Sequence, residues 1–277
     1  MSAPGPLARE VDTDRCTGTV LDEGGLVLAW APTGHAPVLF AHPGVPVRSG
    51  TPPHAGIPVC WPWFGPGRGG GMTPSHGFAR SSTWQFLGED EGPDSRVLRH
   101  RLTPDDASHP DWSQAYHLDL VTRFGTTLEV TLSTTNTGDE PFVVEEALHA
   151  YLAVGDVRRV VVGGLDGTPF HDKVLGEDLV QEGDLVLTGE TDRVYRSSAD
   201  VVVTDPVLGR RLTVSTTGAA DRVVWNPWSE KAIGLDDIGD QWPHLLCVEA
   251  ANVLDDVVTV DPGQTRWMTY RLSVEDL

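Results

Sequence analysis

Three segments of the chain hold side chains whose types and spacing suit proton transfer and anion binding. Residues 74–84 read Pro-Ser-His-Gly-Phe-Ala-Arg-Ser-Ser-Thr-Trp, which sets the imidazole of His76 four residues before the guanidinium of Arg80. An imidazole moves protons near neutral pH, and a guanidinium presents a planar fork that fits two anionic oxygens. His149 lies in the run Glu-Ala-Leu-His-Ala-Tyr-Leu at 146–152. In a strand, Ala147, His149 and Tyr151 would share one face and Leu148, Ala150 and Leu152 the other. A small residue beside two polar-tipped rings fits the wall of a site, or a histidine hydrogen-bonded inside a core. Glu249 sits among Leu245, Leu246, Cys247, Val248, Ala250 and Ala251. A carboxylate there is costly unless paired, hydrogen-bonded or functional, and burial raises its pKa toward the range of a general base at neutral pH. The alternative is a buried salt bridge.

The elements that must position these groups read as strands. Leu128, Val130 and Leu132 alternate with Glu129, Thr131 and Ser133, a period of two. Turn chemistry follows at Asn136-Thr-Gly138 and a second extended run begins at Phe142, so residues 128–152 read as a hairpin or meander. Similar runs recur at 98–102, 116–121, 200–204, 211–215, 222–225, 257–260 and 266–272. With 30 Gly and 21 Pro spread along the chain, long helices have little room. The expected class is all-β, a sandwich or barrel, with a frayed N-terminus over residues 1–13 and a single domain over 14–277. No internal repeat or heptad is present, and a monomer is compatible with the sequence.

Twenty Lys+Arg against forty Asp+Glu give a formal charge of −20. A field of that sign repels nucleic-acid backbones and anionic headgroups, which argues against both as partners. An anionic substrate would need a local basic pocket, for which Arg80 is the candidate. Cys16, Cys60 and Cys247 are odd in number, far apart and outside any CxxC pair, so neither a disulfide scaffold nor a zinc site is expected, and a reducing cytoplasm fits. No apolar run approaches signal-peptide or membrane-span length. The Gly-Pro-Gly-Arg-Gly-Gly-Gly stretch at 65–71 lacks the lysine and helix of a phosphate-binding P-loop and reads as a loop beside the site. The ten histidines suggest a metal, but His54 and His76 are twenty-two residues apart and close carboxylate pairs such as Asp236-Asp237 fall in acidic loops. No metal is expected.

These blocks occur in a fixed order: Ala-Gly-Ile-Pro-Val-Cys-Trp-Pro-Trp-Phe-Gly at 55–65, His-Gly-Phe-Ala-Arg at 76–80, Glu-Ala-Leu-His-Ala-Tyr-Leu at 146–152 and Cys-Val-Glu-Ala-Ala-Asn-Val at 247–253. In that order they resemble the hexose-6-phosphate mutarotase branch of the aldose 1-epimerase family, from about Gly25 to Leu272. The resemblance implies a large antiparallel β-sandwich of the galactose-mutarotase type with a sugar site on the concave face of one sheet. It implies His149 as general acid, Glu249 as base and His76 as a second histidine near the ring oxygen. Arg80 would contact phosphate and Asp192 would position sugar hydroxyls, although an aspartate in that sequence also suits a solvated turn. Trp61, Trp63 and Phe64 would wall the pocket or serve as core aromatics. His54 stands where the phosphate-specific branch usually carries an arginine, and a neutral imidazole brings no full charge to a phosphate.

The implied reaction is interconversion of α and β anomers of an aldohexose 6-phosphate by ring opening and closure, with no cofactor. Mutarotation of unphosphorylated aldoses and non-catalytic carbohydrate binding are the alternatives. A glycosidase would require two opposed carboxylates, and only one convincing carboxylate base is found.

Overall fold

The computed structural model describes residues 5–277 as an antiparallel β-sandwich. One eight-stranded sheet runs Val161–Gly163, Val201–Asp205, Arg210–Thr217, Thr265–Asp276, Leu128–Asn136, Tyr116–Phe124, Arg96–Leu102, Gln85–Glu91. The other, here the site sheet, runs Glu177–Val180, Pro169–Asp172, Thr191–Tyr195, Asp221–Asn226, Leu245–Asn252, Glu146–Leu148, Val59–Cys60, with Tyr151–Ala153 also paired to Leu245–Asn252. Alternation sets their contact: Leu128, Val130 and Leu132 from the first sheet and Leu148, Val224 and Val248 from the second fall in one buried apolar cluster.

Two expectations are corrected. Residues 128–152 are neither a hairpin nor a meander: Leu128–Asn136 pairs with Tyr116–Phe124 and Thr265–Asp276, whereas Glu146–Leu148 pairs in the site sheet. Between them Phe142–Val144 pairs with Val258–Val260, so the chain uses this stretch to cross from one sheet to the other. The N-terminal segment is not frayed throughout, because Ala8–Asp12 pairs with Cys16–Leu21 and Arg9 forms a two-pronged hydrogen bond to Asp22. Residues 1–4 of the expected frayed segment lie outside the described residues.

Register on the site sheet determines what faces outward. Asp192 lies opposite Trp225, Trp225 opposite Cys247, and Cys247 opposite Tyr151. The next row is Val194, Val223 and Glu249. The third is Asp221, Ala251, Ala147 and Cys60. Directly paired residues share a face, so these three rows form one surface, and the intervening residues turn into the core.

Candidate active site

A cavity of about 550 Å³ opens on this face. The strand expected through His149 is broken there, since Glu146–Leu148 and Tyr151–Ala153 are separate and the His149 N–H donates instead to the Pro58 carbonyl at 3.0 Å. The register survives the break: Leu148 faces Ala250 and Tyr151 faces Cys247, which sets His149 directly across from Glu249. His149 Nε2 accordingly lies 3.3 Å from Glu249 Oε1, both side chains being almost wholly buried. Neither carboxylate oxygen of Glu249 has a hydrogen-bond partner among the described residues. Burial holds the Glu249 carboxyl well above the usual carboxylate range, opposed by the charges of Lys173 and Arg80. Burial also holds the His149 imidazole well below its ordinary value, assisted by neighbouring His76 and Arg80. The Tyr151 ring stacks on His149 at 4.7 Å and fixes its plane.

His76 reaches the same cavity from the loop on its rim. Its backbone takes a φ of 66°, in the left-handed region, held by hydrogen bonds from its N–H to the Gly65 carbonyl (2.8 Å) and from the Trp61 N–H to its own carbonyl (3.3 Å). The following residue must be glycine: a Cβ on Gly77 would lie 1.9 Å from the Trp61 carbonyl oxygen. The Gly65 N–H donates to His76 Nδ1 at 3.3 Å, leaving Nε2 as the protonated nitrogen. Burial, then the charges of Arg80, Lys173 and His54, push the imidazole pKa down to about 3. His76 is therefore a neutral hydrogen-bond donor, its ring 5.5 Å from that of His149.

Arg80 lines the cavity with its Nε buried and unpartnered, and no carboxylate lies within ion-pair distance of it among the described residues. Asp192 lies in the strand Thr191–Tyr195 rather than in a turn, with Lys173 Nζ 3.6 Å from its Oδ1. His54 lines the cavity as well, but a carboxylate clamps it: its N–H donates to Asp237 Oδ2 at 2.7 Å, and Nδ1 lies 2.8 Å from Oδ1. Phe64 forms part of the wall, edge-on to His76. Trp61 does not. Cys60 shares the sheet face of its partner Ala147, so period two turns Trp61 into the core, where it packs against Phe78, Trp112 and Tyr116; Trp63 is a core residue too.

Sequence reasoning missed Lys173, Lys231, Trp225 and the role of Asp237. A signal for the lysines was present: they are the only two in the chain, among 20 Lys+Arg, and both line this cavity.

The sequence model described as aldose 1-epimerase matches residues 10–273. A protein of Escherichia coli K12, provisionally named a glucose-6-phosphate 1-epimerase, is 34% identical over 87% of this chain and 81% of its own length. One from Cenchrus ciliaris, named in the same way, is 28% identical over 90% of this chain and 78% of its own. The crystal structure of the provisionally named mutarotase YeaD from Salmonella typhimurium superposes with a TM-score of 0.90 at 28% identity, covering 99% of this chain and 95% of that one. A provisionally named aldose 1-epimerase from Escherichia coli K12 shares the fold at 17% identity, with a TM-score of 0.74 over 99% of this chain and all of that one. With the matched span covering nearly the whole chain, this chain is an isomerase of the aldose 1-epimerase family.

Proposed function

We propose that the chain interconverts the α and β anomers of an aldohexose 6-phosphate, glucose 6-phosphate foremost. The observation that carries this reading is Glu249 facing His149 at 3.3 Å on the floor of a cavity that also holds Arg80, which has no carboxylate partner among the described residues. The pair shares one ionisable proton. As carboxylate and imidazolium it is poised to open the ring: Glu249 takes the proton from O1 while His149 delivers one to O5, the C1–O5 bond breaks, and a free aldehyde forms. Both groups end neutral, the state that burial favours for each. The charges of Arg80 and Lys173 oppose that preference at Glu249. At His149 the Arg80 charge reinforces it instead. Rotation about C1–C2 presents the other aldehyde face, and closure reverses the roles. The neutral His76 Nε2–H donates to the ring oxygen or an adjacent hydroxyl, Asp192 accepts from sugar hydroxyls, and Arg80 receives the phosphate.

A second reading, with unphosphorylated aldoses as substrates, draws support from His54, whose clamp by Asp237 puts a negative charge where an anion would otherwise be drawn. Among the described residues no helix is long and apolar enough to cross a membrane. The buried free cysteines and a sugar-phosphate substrate both suit the cytoplasm, which we take as the site of action.

Magnetisation exchange between the two anomeric protons, measured by NMR with catalytic protein, tests the proposal. Accelerated exchange of glucose 6-phosphate but not glucose is expected. Acceleration of free aldoses alone would transfer the assignment to the second reading, and no acceleration of any sugar would overturn both.

A further inference from the structure

The chain uses arginine for almost every basic position, yet keeps a lysine at 173 on the cavity wall. Its attachment is unusually well fixed. Asp172, buried, accepts from the N–H groups of Val174 (3.0 Å) and Leu175 (3.1 Å) and from Arg193 Nε (3.0 Å), which clamps the turn that carries Lys173. The Lys173 N–H donates to the Asp192 carbonyl at 2.8 Å and so extends the outward-facing row that contains Asp192, Trp225 and Cys247. The ammonium then sits between two partners, 3.6 Å from Asp192 Oδ1 and 4.5 Å from the centre of the Phe64 ring. Phe64 is fixed in turn, because its N–H donates to Glu145 Oε2 at 3.1 Å. A compact point charge fits this slot; the broad guanidinium of arginine does not place its charge the same way.

Resting on the mutarotase reading, we propose that Lys173 is a positioning residue for the reaction, an ammonium fixed between Phe64 and Asp192 that aligns Asp192 for the sugar hydroxyls and supplies positive charge to the buried Glu249. Of the charged neighbours acting on Glu249, Lys173 is the foremost, and it opposes the effect of Asp192, which lies on the same face. Without the ammonium, the smaller effect of Arg80 alone would oppose the Asp192 charge at Glu249. The other charged or titratable groups lining the cavity are His54, Arg68, His76, Arg80, Glu145, His149, Tyr151 and Lys231, the last held to Glu190 at 2.6 Å.

The test is the pH profile of kcat for anomer exchange of glucose 6-phosphate, with KM followed in parallel. Removing a positive charge makes every protonation of the His149–Glu249 pair easier, so Lys173→Gln should move both limbs of the profile toward alkaline pH, by about one pH unit. Asp192→Asn, which leaves the ammonium unopposed, should move them toward acid. Lys173→Arg keeps the charge and should leave the limbs in place while lowering kcat about tenfold through misalignment of Asp192. Limbs unmoved in both Lys173→Gln and Asp192→Asn would overturn the proposal. A raised KM with an unchanged kcat profile would make Lys173 a phosphate ligand instead and would overturn it as well. An inactive wild-type protein would refute the mutarotase reading itself, a result these variants cannot mimic.

Discussion

Burial acts in opposite directions on the two members of the facing pair, raising the Glu249 carboxyl and lowering the His149 imidazole. The same burial makes Glu249 a structural burden. A carboxyl whose folded pKa lies above its unfolded value costs stability as pH rises from the unfolded value, about 4.3, toward the folded one. Glu249→Gln should therefore lower kcat by about 10²–10⁴, the usual contribution of a general base, with KM little changed. It should also raise Tm at pH 7. Below pH 4 or so both proteins carry a neutral group at 249, and the Tm difference should vanish. Calorimetry across pH beside the exchange assay measures both effects; a variant less stable than wild type at pH 7 would show that the Glu249 charge is satisfied in the fold. His76, by contrast, is neutral throughout the working range, so His76→Asn, which preserves a donor, should retain more activity than His76→Ala.

At the scale of elements, the alternation in residues 128–133 was readable because those side chains divide cleanly between core and solvent, and the strand Leu128–Asn136 follows it. The motif segments that bring His76, His149 and Glu249 together were readable as well, but their juxtaposition was not. It arises from pairing between residues about a hundred positions apart, with Leu148 opposite Ala250, and no local pattern encodes that register. The expected meander failed for a related reason: turn residues after Asn136 signal a reversal, not which sheet the next strand joins. Trp61 was not placed by the sequence, because its ring turns to the core only by following Cys60, whose face is set by pairing with Ala147. The loop that carries His76 depends on Gly77, whose φ of +76° and approach to the Trp61 carbonyl leave no room for a Cβ. Gly77→Ala should cost more than about 2 kcal/mol and displace His76, with activity falling further than stability alone explains. Urea unfolding and the exchange assay on the folded fraction give the two numbers, and a variant with wild-type stability would mean that the loop has a second stable path.

The whole molecule sets a field against its own proposed substrate. The formal charge of −20 repels a sugar phosphate at long range, while Arg80 and Lys173 attract it only once it is in the cavity. The two effects differ in reach and therefore in their response to salt. Raising ionic strength from 0.01 to 0.15 M shortens the screening length from about 30 to about 8 Å, which suppresses the distant repulsion far more than contacts made inside a partly desolvated pocket. For glucose 6-phosphate, kcat/KM should accordingly rise about two- to fivefold over that range, the reverse of the usual behaviour when an anion meets a basic site. A neutral sugar turned over by the same residues would feel neither field and should show a flat response. A steep fall with salt would instead mean that the cavity cations govern approach as well as binding, and that the acidic surface is arranged to leave their field open at the mouth.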